Sequence, residues 1–137
     1  MEQARKTFLI ADDSKVVRTI ARSVLRELNF KTEEAVNGAE ALSYCQKNLP
    51  DAVLLDWNMP VMDGFSFLKA LRQIPGGDRP VVVFCTTESD ADSIQRALES
   101  GADEYIMKPF TPEIVRDKLG SIGLIGPLDE CNDAHVV

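Results

Sequence analysis

Five side chains with chemistry to offer stand where apolar runs stop. Asp12 and Asp13 follow Phe8-Leu9-Ile10-Ala11, Asp56 ends Ala52-Val53-Leu54-Leu55, Thr86 ends the run from Val81 to Cys85, and Lys108 follows Glu104 to Met107. Brought together, the three carboxylates repel and raise one another's pKa, so the cluster asks for a divalent cation. Oxygen ligands without His or Cys favour Mg²⁺ over zinc. Mg²⁺ usually takes one or two carboxylates, keeps several waters and completes its shell with phosphate oxygens. Lys108 would neutralise remaining phosphoryl charge and Thr86 would donate to a further oxygen. Asp56, at the centre, would attack phosphorus, as carboxylates do in aspartyl-phosphate chemistry.

What must position these groups is a sheet. The stretch AVLLDWNMPVMDG, Ala52 to Gly64, has four apolar residues ahead of Asp56 and turn residues beyond it. Such a run reads as a strand buried on both faces, the kind found in parallel sheets. Asp56 then lies at the carboxyl end of a central strand, where open α/β sheets place their ligand crevice. A carboxylate there costs free energy unless a cation or donors meet it.

Around that strand the pattern alternates. Thr7 to Ala11 is a short strand, and Ser14 caps a helix whose inward stripe is Val17, Ile20, Ala21, Val24 and Leu28. Arg18, Arg22 and Arg26 fall largely on its other side. Thr32 to Val36 is a weaker strand, placed at an edge because Glu33 and Glu34 dilute it. Asn37-Gly38 turns into a helix over Ala39 to Lys47. Phe65, Leu68, Ala70, Leu71 and Ile74 mark the next helix, closed by PGGDRP at Pro75 to Pro80. After Val81 to Cys85, Ser89 or Asp90 caps a helix carrying Ile94, Ala97 and Leu98. Glu104 to Met107 is the last strand, and Thr111, with Pro112 at the first helical position, opens the last helix. Strand and helix alternating in this way predict an α/β, doubly wound five-stranded parallel sheet with five helices on its two faces. Right-handed crossovers bring the strand ends to one edge.

The bulk numbers fit one domain. At 137 residues the chain can fill a single core. A net charge of −7 argues against nucleic acid and anionic membranes as partners. No apolar stretch approaches the roughly 20 residues that span a bilayer. Cys45, Cys85 and Cys131 are odd in number and form no CxxC, which points to a reduced, cytoplasmic protein. From Gly120 onward Gly and Pro weaken the pattern, so residues 1–125 form the domain and 126–137 a mobile tail.

Each candidate also has a plainer reading. Asp12-Asp13 alone would be a helix cap, and Asp56 with Lys108 a structural ion pair, although one Lys cannot offset three acids. Thr86 and Thr87 would be ordinary strand-end residues. Tyr105 would be a core aromatic with its hydroxyl at the surface. Trp57 is a partly exposed neighbour of the site, and His135 a solvated tail residue.

Taken in register, these residues match a family. Asp12-Asp13, DWNMPVMDG from Asp56, Thr86 followed by Glu88, and Tyr105 with Lys108-Pro109-Phe110 make residues 5–120 resemble receiver domains of two-component response regulators. The resemblance is greatest to single-domain chemotaxis regulators of the CheY type. It implies a flavodoxin-like sheet of order 2-1-3-4-5, Asp56 as phospho-acceptor, and Mg²⁺ held by Asp13, Asp56 and the Asn58 carbonyl, with Asp12 acting through a metal-bound water. It further implies that Lys108 pairs with the phosphoryl group, that Thr86 and Tyr105 are the switch residues, and that Lys108–Pro109 is cis. Trp57, Thr87 and Glu88 would control access to the phosphorylation site. Thr87 departs from the small residue usual there.

The function implied is a single-domain response regulator that accepts a phosphoryl group from a sensor histidine kinase of the CheA type. It would then switch binding to an output target, such as the flagellar motor switch in chemotaxis, with a phosphatase as a further partner and the chain a monomer. It would not be an enzyme beyond catalysing its own phosphorylation and dephosphorylation. A phosphorelay intermediate or phosphate sink is the alternative on the same fold. An aspartate-nucleophile phosphatase of the haloacid dehalogenase type would need an acid two residues after the nucleophile, where this chain has Asn58.

Overall fold

The structure is a computed structural model, and it describes residues 5–86 and 91–124, apart from the side chains of Ala91 and Ser93. Its elements alternate strictly: β1 (Thr7–Ala11), α1 (Lys15–Glu27), β2 (Lys31–Ala35), α2 (Gly38–Lys47), β3 (Ala52–Asp56), α3 (Gly64–Gln73), β4 (Val81–Thr86), α4 (Ala91–Glu99), β5 (Glu104–Met107) and α5 (Pro112–Ser121). All pairings are parallel, in the order β2-β1-β3-β4-β5. The expected doubly wound sheet of order 2-1-3-4-5 is therefore the fold of this chain.

The strand period of two divides the core cleanly. Leu9, Ala11, Val53, Leu55, Val82 and Phe84 face one side, with Ala41, Cys45, Phe67, Leu68, Leu71 and Ala97 from α2, α3 and α4. Phe8, Ile10, Ala52, Leu54, Val83, Cys85 and Ile106 face the other, against Ala21, Val24 and Leu25 of α1 and Val115 and Leu119 of α5. Burying each such Val, Leu or Phe stabilises the fold by roughly 1.5–3 kcal/mol. Every residue of β3 is buried, as a central strand covered on both faces requires. By the same parity Asp12, Asp56 and Lys108 continue the rows of Ile10, Leu54 and Ile106 on the α1–α5 side. Thr86 continues the row of Phe84 on the other.

Local chemistry sets the helix starts. Ser14, Asn37, Asp63 and Thr111 each accept a hydrogen bond from the backbone N–H three residues on. The Ser89 or Asp90 cap of α4 lies outside the described residues. Gly64 opens α3 hard against the end of β3: a Cβ there would collide with the Asp56 carbonyl oxygen, while its N–H donates to the Trp57 carbonyl at 3.0 Å. The loop carrying Asn58 to Asp63 thus closes directly over the strand end. Gly38 seats the next loop the same way, its N–H donating to the Met62 carbonyl at 2.9 Å.

Three helical expectations shift. Ile20 is 46% exposed, because the stripe of α1 runs through Val17, Ala21, Val24, Leu25 and Leu28 and leaves Ile20 at its flank beside Val16. Leu98 of α4 is likewise exposed. On α3 it is Phe67, rather than Phe65, that is fully buried.

Candidate functional site

Four of the five chemical side chains meet at one strand edge. Carboxylate oxygens of Asp12, Asp13 and Asp56 lie within 4.8 Å of one another, Asp12 and Asp56 buried and Asp13 exposed. Lys108 Nζ lies 2.9 Å from Asp12 Oδ2 and donates to Asp56 Oδ1 at 3.1 Å. The other oxygen of Asp12, Oδ1, accepts the Ser14 N–H at 2.8 Å, so α1's own start helps hold the acid. Lys108 is carried in by the turn after β5, where its N–H donates to the Thr86 carbonyl at 2.9 Å and its bond to Pro109 is cis.

Electrostatics mark Asp56 as the group under tension. Burial, then the neighbouring Asp12 charge, push its carboxyl up to about 6, against the pull of Lys108. For Lys108, burial opposes the charged form, but hydrogen bonding to Asp12 and the two nearby carboxylates outweigh it and raise its pKa. The ammonium is thus fixed as a cation, and one cation faces three acids.

The remaining candidates lie around this centre. Thr86 is buried at the end of β4, one residue beyond Cys85, the β4 partner of Asp56 in the sheet register. Trp57 is half-buried and Asn58 exposed. An aromatic line leaves the site: Trp57 packs on Phe84 at 5.2 Å between centroids, and Phe84 on Tyr105 at 6.1 Å. Lys118 Nζ caps the Tyr105 ring at 4.6 Å, and Arg96 of α4 caps Phe65, itself 5.5 Å from Trp57. Thr87 and Glu88 lie outside the described residues.

Arg18 is a participant that helical spacing hides. The spacing sends it to the outer face of α1, yet its side chain is only 13% exposed. It reaches the Asp12 carbonyl oxygen through Nη1 at 2.8 Å and Glu34 Oε1 through Nε at 3.0 Å. The signal that could have found it is the pair Arg18 and Arg22, one turn apart, facing an edge strand that carries Glu34.

Chemically, the centre offers hard oxygen donors of net negative charge and, among the described residues, no nitrogen or sulfur ligand. That donor set fits Mg²⁺, and the ammonium beside it leaves a positive point for an anion.

The fold and this acidic centre, with its lysine, define a class. Residues 8–119 match the family described as response regulator receiver domain, and the chain belongs to it. It is a receiver domain of two-component systems, a class whose members bind Mg²⁺ in an acidic site and interact with histidine kinases and output targets. Among curated relatives, it is 44% identical over 105 residues to the transcriptional regulatory protein PrrA of Mycobacterium tuberculosis (strain ATCC 25618 / H37Rv), covering 77% of this chain and 44% of that protein. The chain therefore spans less than half the length of that relative. Among solved structures, it superposes on the chemotaxis protein CheY4 of Vibrio cholerae, crystallised at low pH, with a TM-score of 0.81 and 32% identity. That match covers 90% of this chain and 100% of the other. The receiver domain of sensor histidine kinase PA1611 from Pseudomonas aeruginosa PAO1, solved with a magnesium ion coordinated in its active site cleft, gives a TM-score of 0.77 at 25% identity, covering 83% of this chain and 93% of that one. No helix among the described residues is long and apolar enough to cross a membrane.

Proposed function

We propose that this chain is a phosphorylation-controlled binding switch whose acceptor is Asp56. The observation that carries the reading is the convergence of Asp12, Asp13 and Asp56 within 4.8 Å, with Lys108 bridging two of them. Asp13, Asp56 and the Asn58 carbonyl would hold Mg²⁺, with Asp12 behind them. The magnesium ion bound in the PA1611 receiver supports this. When bound, the ion neutralises charge on the oxygens of the transferring phosphoryl group. An Asp56 carboxylate oxygen forms the new bond to phosphorus as the bond to the donor histidine nitrogen breaks, and the nitrogen keeps that electron pair. Lys108 is already placed to turn from its carboxylates to a phosphoryl oxygen, and the Thr86 hydroxyl supplies a further donor.

The output follows from the aromatic line. Phosphorylation adds nearly two negative charges and new acceptor oxygens at the strand edge. Thr86 moving toward them vacates space next to β5, where Tyr105 turns inward. The surface altered is then α4, β5 and α5, and a partner that binds the altered form more tightly shifts the equilibrium toward it. The likeness to CheY4, a chemotaxis protein, supports a chemotaxis output. The likeness to PrrA favours a second reading, in which the receiver serves transcriptional control. The same geometry lets the chain catalyse its own phosphorylation and dephosphorylation.

The test is phosphotransfer. Autophosphorylated histidine kinases, screened as a panel, should pass label to this chain in Mg²⁺ and not in EDTA. Capture of targets with the phosphorylated form then separates a motor-switch partner from transcriptional machinery. No transfer from any kinase or from acetyl phosphate would overturn the reading. Metal binding is tested separately, because Trp57 directly follows a ligand: Mg²⁺ should change its emission without phosphate present, weakly because few protein ligands are offered. Asp13→Asn should lose that response, and an unchanged response would remove Asp13 from the metal site.

A further inference from the structure

We infer that Arg18 is a positioning residue for the acidic centre, acting through the Asp12 carbonyl and itself locked by Glu34 at the sheet edge. The inference rests on the Mg²⁺ reading above and names how this chain sets the strength of that site.

Asp12 is held on every side. Its N–H donates to the Ala35 carbonyl of β2 at 3.1 Å, Oδ1 accepts from Ser14 N–H at 2.8 Å, and Oδ2 lies 2.9 Å from Lys108 Nζ. The fourth tether is Arg18 Nη1, donating to the carbonyl oxygen at 2.8 Å. That contact has a consequence beyond Asp12. A peptide unit is planar, so fixing the Asp12 carbonyl oxygen fixes the direction in which the chain leaves toward the Asp13 Cα. Asp13 is exposed and has no strand to hold it. Its aim at the centre therefore depends on the plane of the peptide before it.

Arg18 is in turn not free to leave. Glu34 takes its Nε at 3.0 Å on one oxygen and Arg22 Nη1 at 2.7 Å on the other. Burial works against the Glu34 charge, but its hydrogen bonds to Arg22 and Arg18 outweigh it and lower its pKa, so the carboxylate is ionised at neutral pH. A planar guanidinium can serve a carbonyl and a carboxylate at once through separate N–H groups, which a lysine ammonium on a flexible stem does not reproduce. The two glutamates that weaken β2 as a strand thus include the one that locks the loop after β1. Groups bonded directly to metal ligands commonly change affinity about 10–100-fold when removed, and Arg18, one step further out, belongs at the low end of that range.

The sign of the effect separates this role from simple electrostatics. Removing a cation near a metal site should tighten Mg²⁺ binding, whereas loosening Asp13 should weaken it. Mg²⁺ is titrated into metal-stripped protein, followed by Trp57 emission and independently by calorimetry. Arg18→Met is expected to bind Mg²⁺ about tenfold more weakly than wild type. Arg18→Lys, which keeps the charge but cannot serve carbonyl and carboxylate at once, is expected to weaken binding by a smaller factor. Lys15→Gln, which removes an exposed neighbouring cation at the start of α1, should bind as tightly as wild type or more tightly. An Arg18→Met protein that binds Mg²⁺ as tightly as wild type, or more tightly, overturns the inference while leaving the metal site standing. No Mg²⁺ response in wild type overturns the metal reading itself and this inference with it. Should Arg18→Met fold poorly, Arg18→Lys decides alone, because it keeps the charge and loses the planar fork: weaker binding supports the lock, and unchanged or tighter binding refutes it.

Discussion

Asp56→Asn is expected to take up no label from a phosphorylated kinase or from acetyl phosphate, and to be more stable than wild type in EDTA. The first effect is the loss of the carboxylate that stands at the carboxyl end of β3 to bond phosphorus. The second follows from the state of the side chain before metal binds. Asp56 is 5% exposed and its carboxyl is pushed from 3.8 up to about 6, by burial first and by Asp12 next. Between those values the folded chain holds a proton that the unfolded chain has lost, so folding stability falls as pH rises through that window and stays lower above it. Two pKa units correspond to at most about 3 kcal/mol. The amide cannot ionise, and its oxygen can still accept from Lys108. The stability advantage of the variant should therefore be small near pH 4, grow to pH 6, and level off at up to about 3 kcal/mol. Mg²⁺ should shrink it by stabilising wild type. Urea melts in EDTA across that range, beside phosphotransfer assays, check both halves. Label that persists and survives acid would place the acceptor elsewhere, and a variant less stable than wild type at pH 7 would mean that Asp56 is not strained.

Much of this arrangement can be read from the chain because its strands carry strong, local signals. β3 and β5 coincide with the runs Ala52 to Asp56 and Glu104 to Met107, since unbroken apolar stretches flanked by turn residues admit few alternatives. Asp12, Asp13, Asp56 and Lys108 meet because strand ends in a parallel sheet must share an edge, a consequence of topology rather than of any one residue. β2 was legible as an edge strand for the opposite reason, the two glutamates that a central position would not tolerate.

What spacing could not give is the behaviour of long side chains and of helix flanks. Arg18 belongs by its Cα to the polar side of α1, but its reach lets the guanidinium fold over the helix start to the Asp12 carbonyl. Ile20 has the right type and nearly the right angle, yet α1 buries Ala21, Val24 and Leu25 and leaves it half in solvent. The Trp57–Phe84–Tyr105 line runs from the residue after β3 through β4 to β5, so no local window contains it. Residues brought together by sheet order alone leave no periodic trace in sequence.

The same cluster predicts that Lys108→Met will trade stability for metal affinity. Lys108 Nζ is the cation in contact with both Asp12 and Asp56, and its side chain is only 14% exposed. Taking it away leaves two buried carboxylates facing each other, the situation in which breaking a buried pair costs about 3–5 kcal/mol. Protonation relieves part of that penalty, because without the ammonium the Asp56 carboxyl rises further still. The deficit in EDTA should therefore be modest near pH 5 and widen toward pH 8, reaching about 2–4 kcal/mol there. Mg²⁺, meeting a more negative centre, should bind the variant more tightly than wild type and recover much of the loss. Phosphotransfer should still fall steeply, since the cation that would meet the phosphoryl oxygen is gone. Thermal melts with and without Mg²⁺, calorimetric titration and kinase assays separate the three effects. Weaker Mg²⁺ binding in Lys108→Met than in wild type would show that the lysine assembles the acidic centre rather than opposing its charge, and the electrostatic account given for Asp56 would then be wrong.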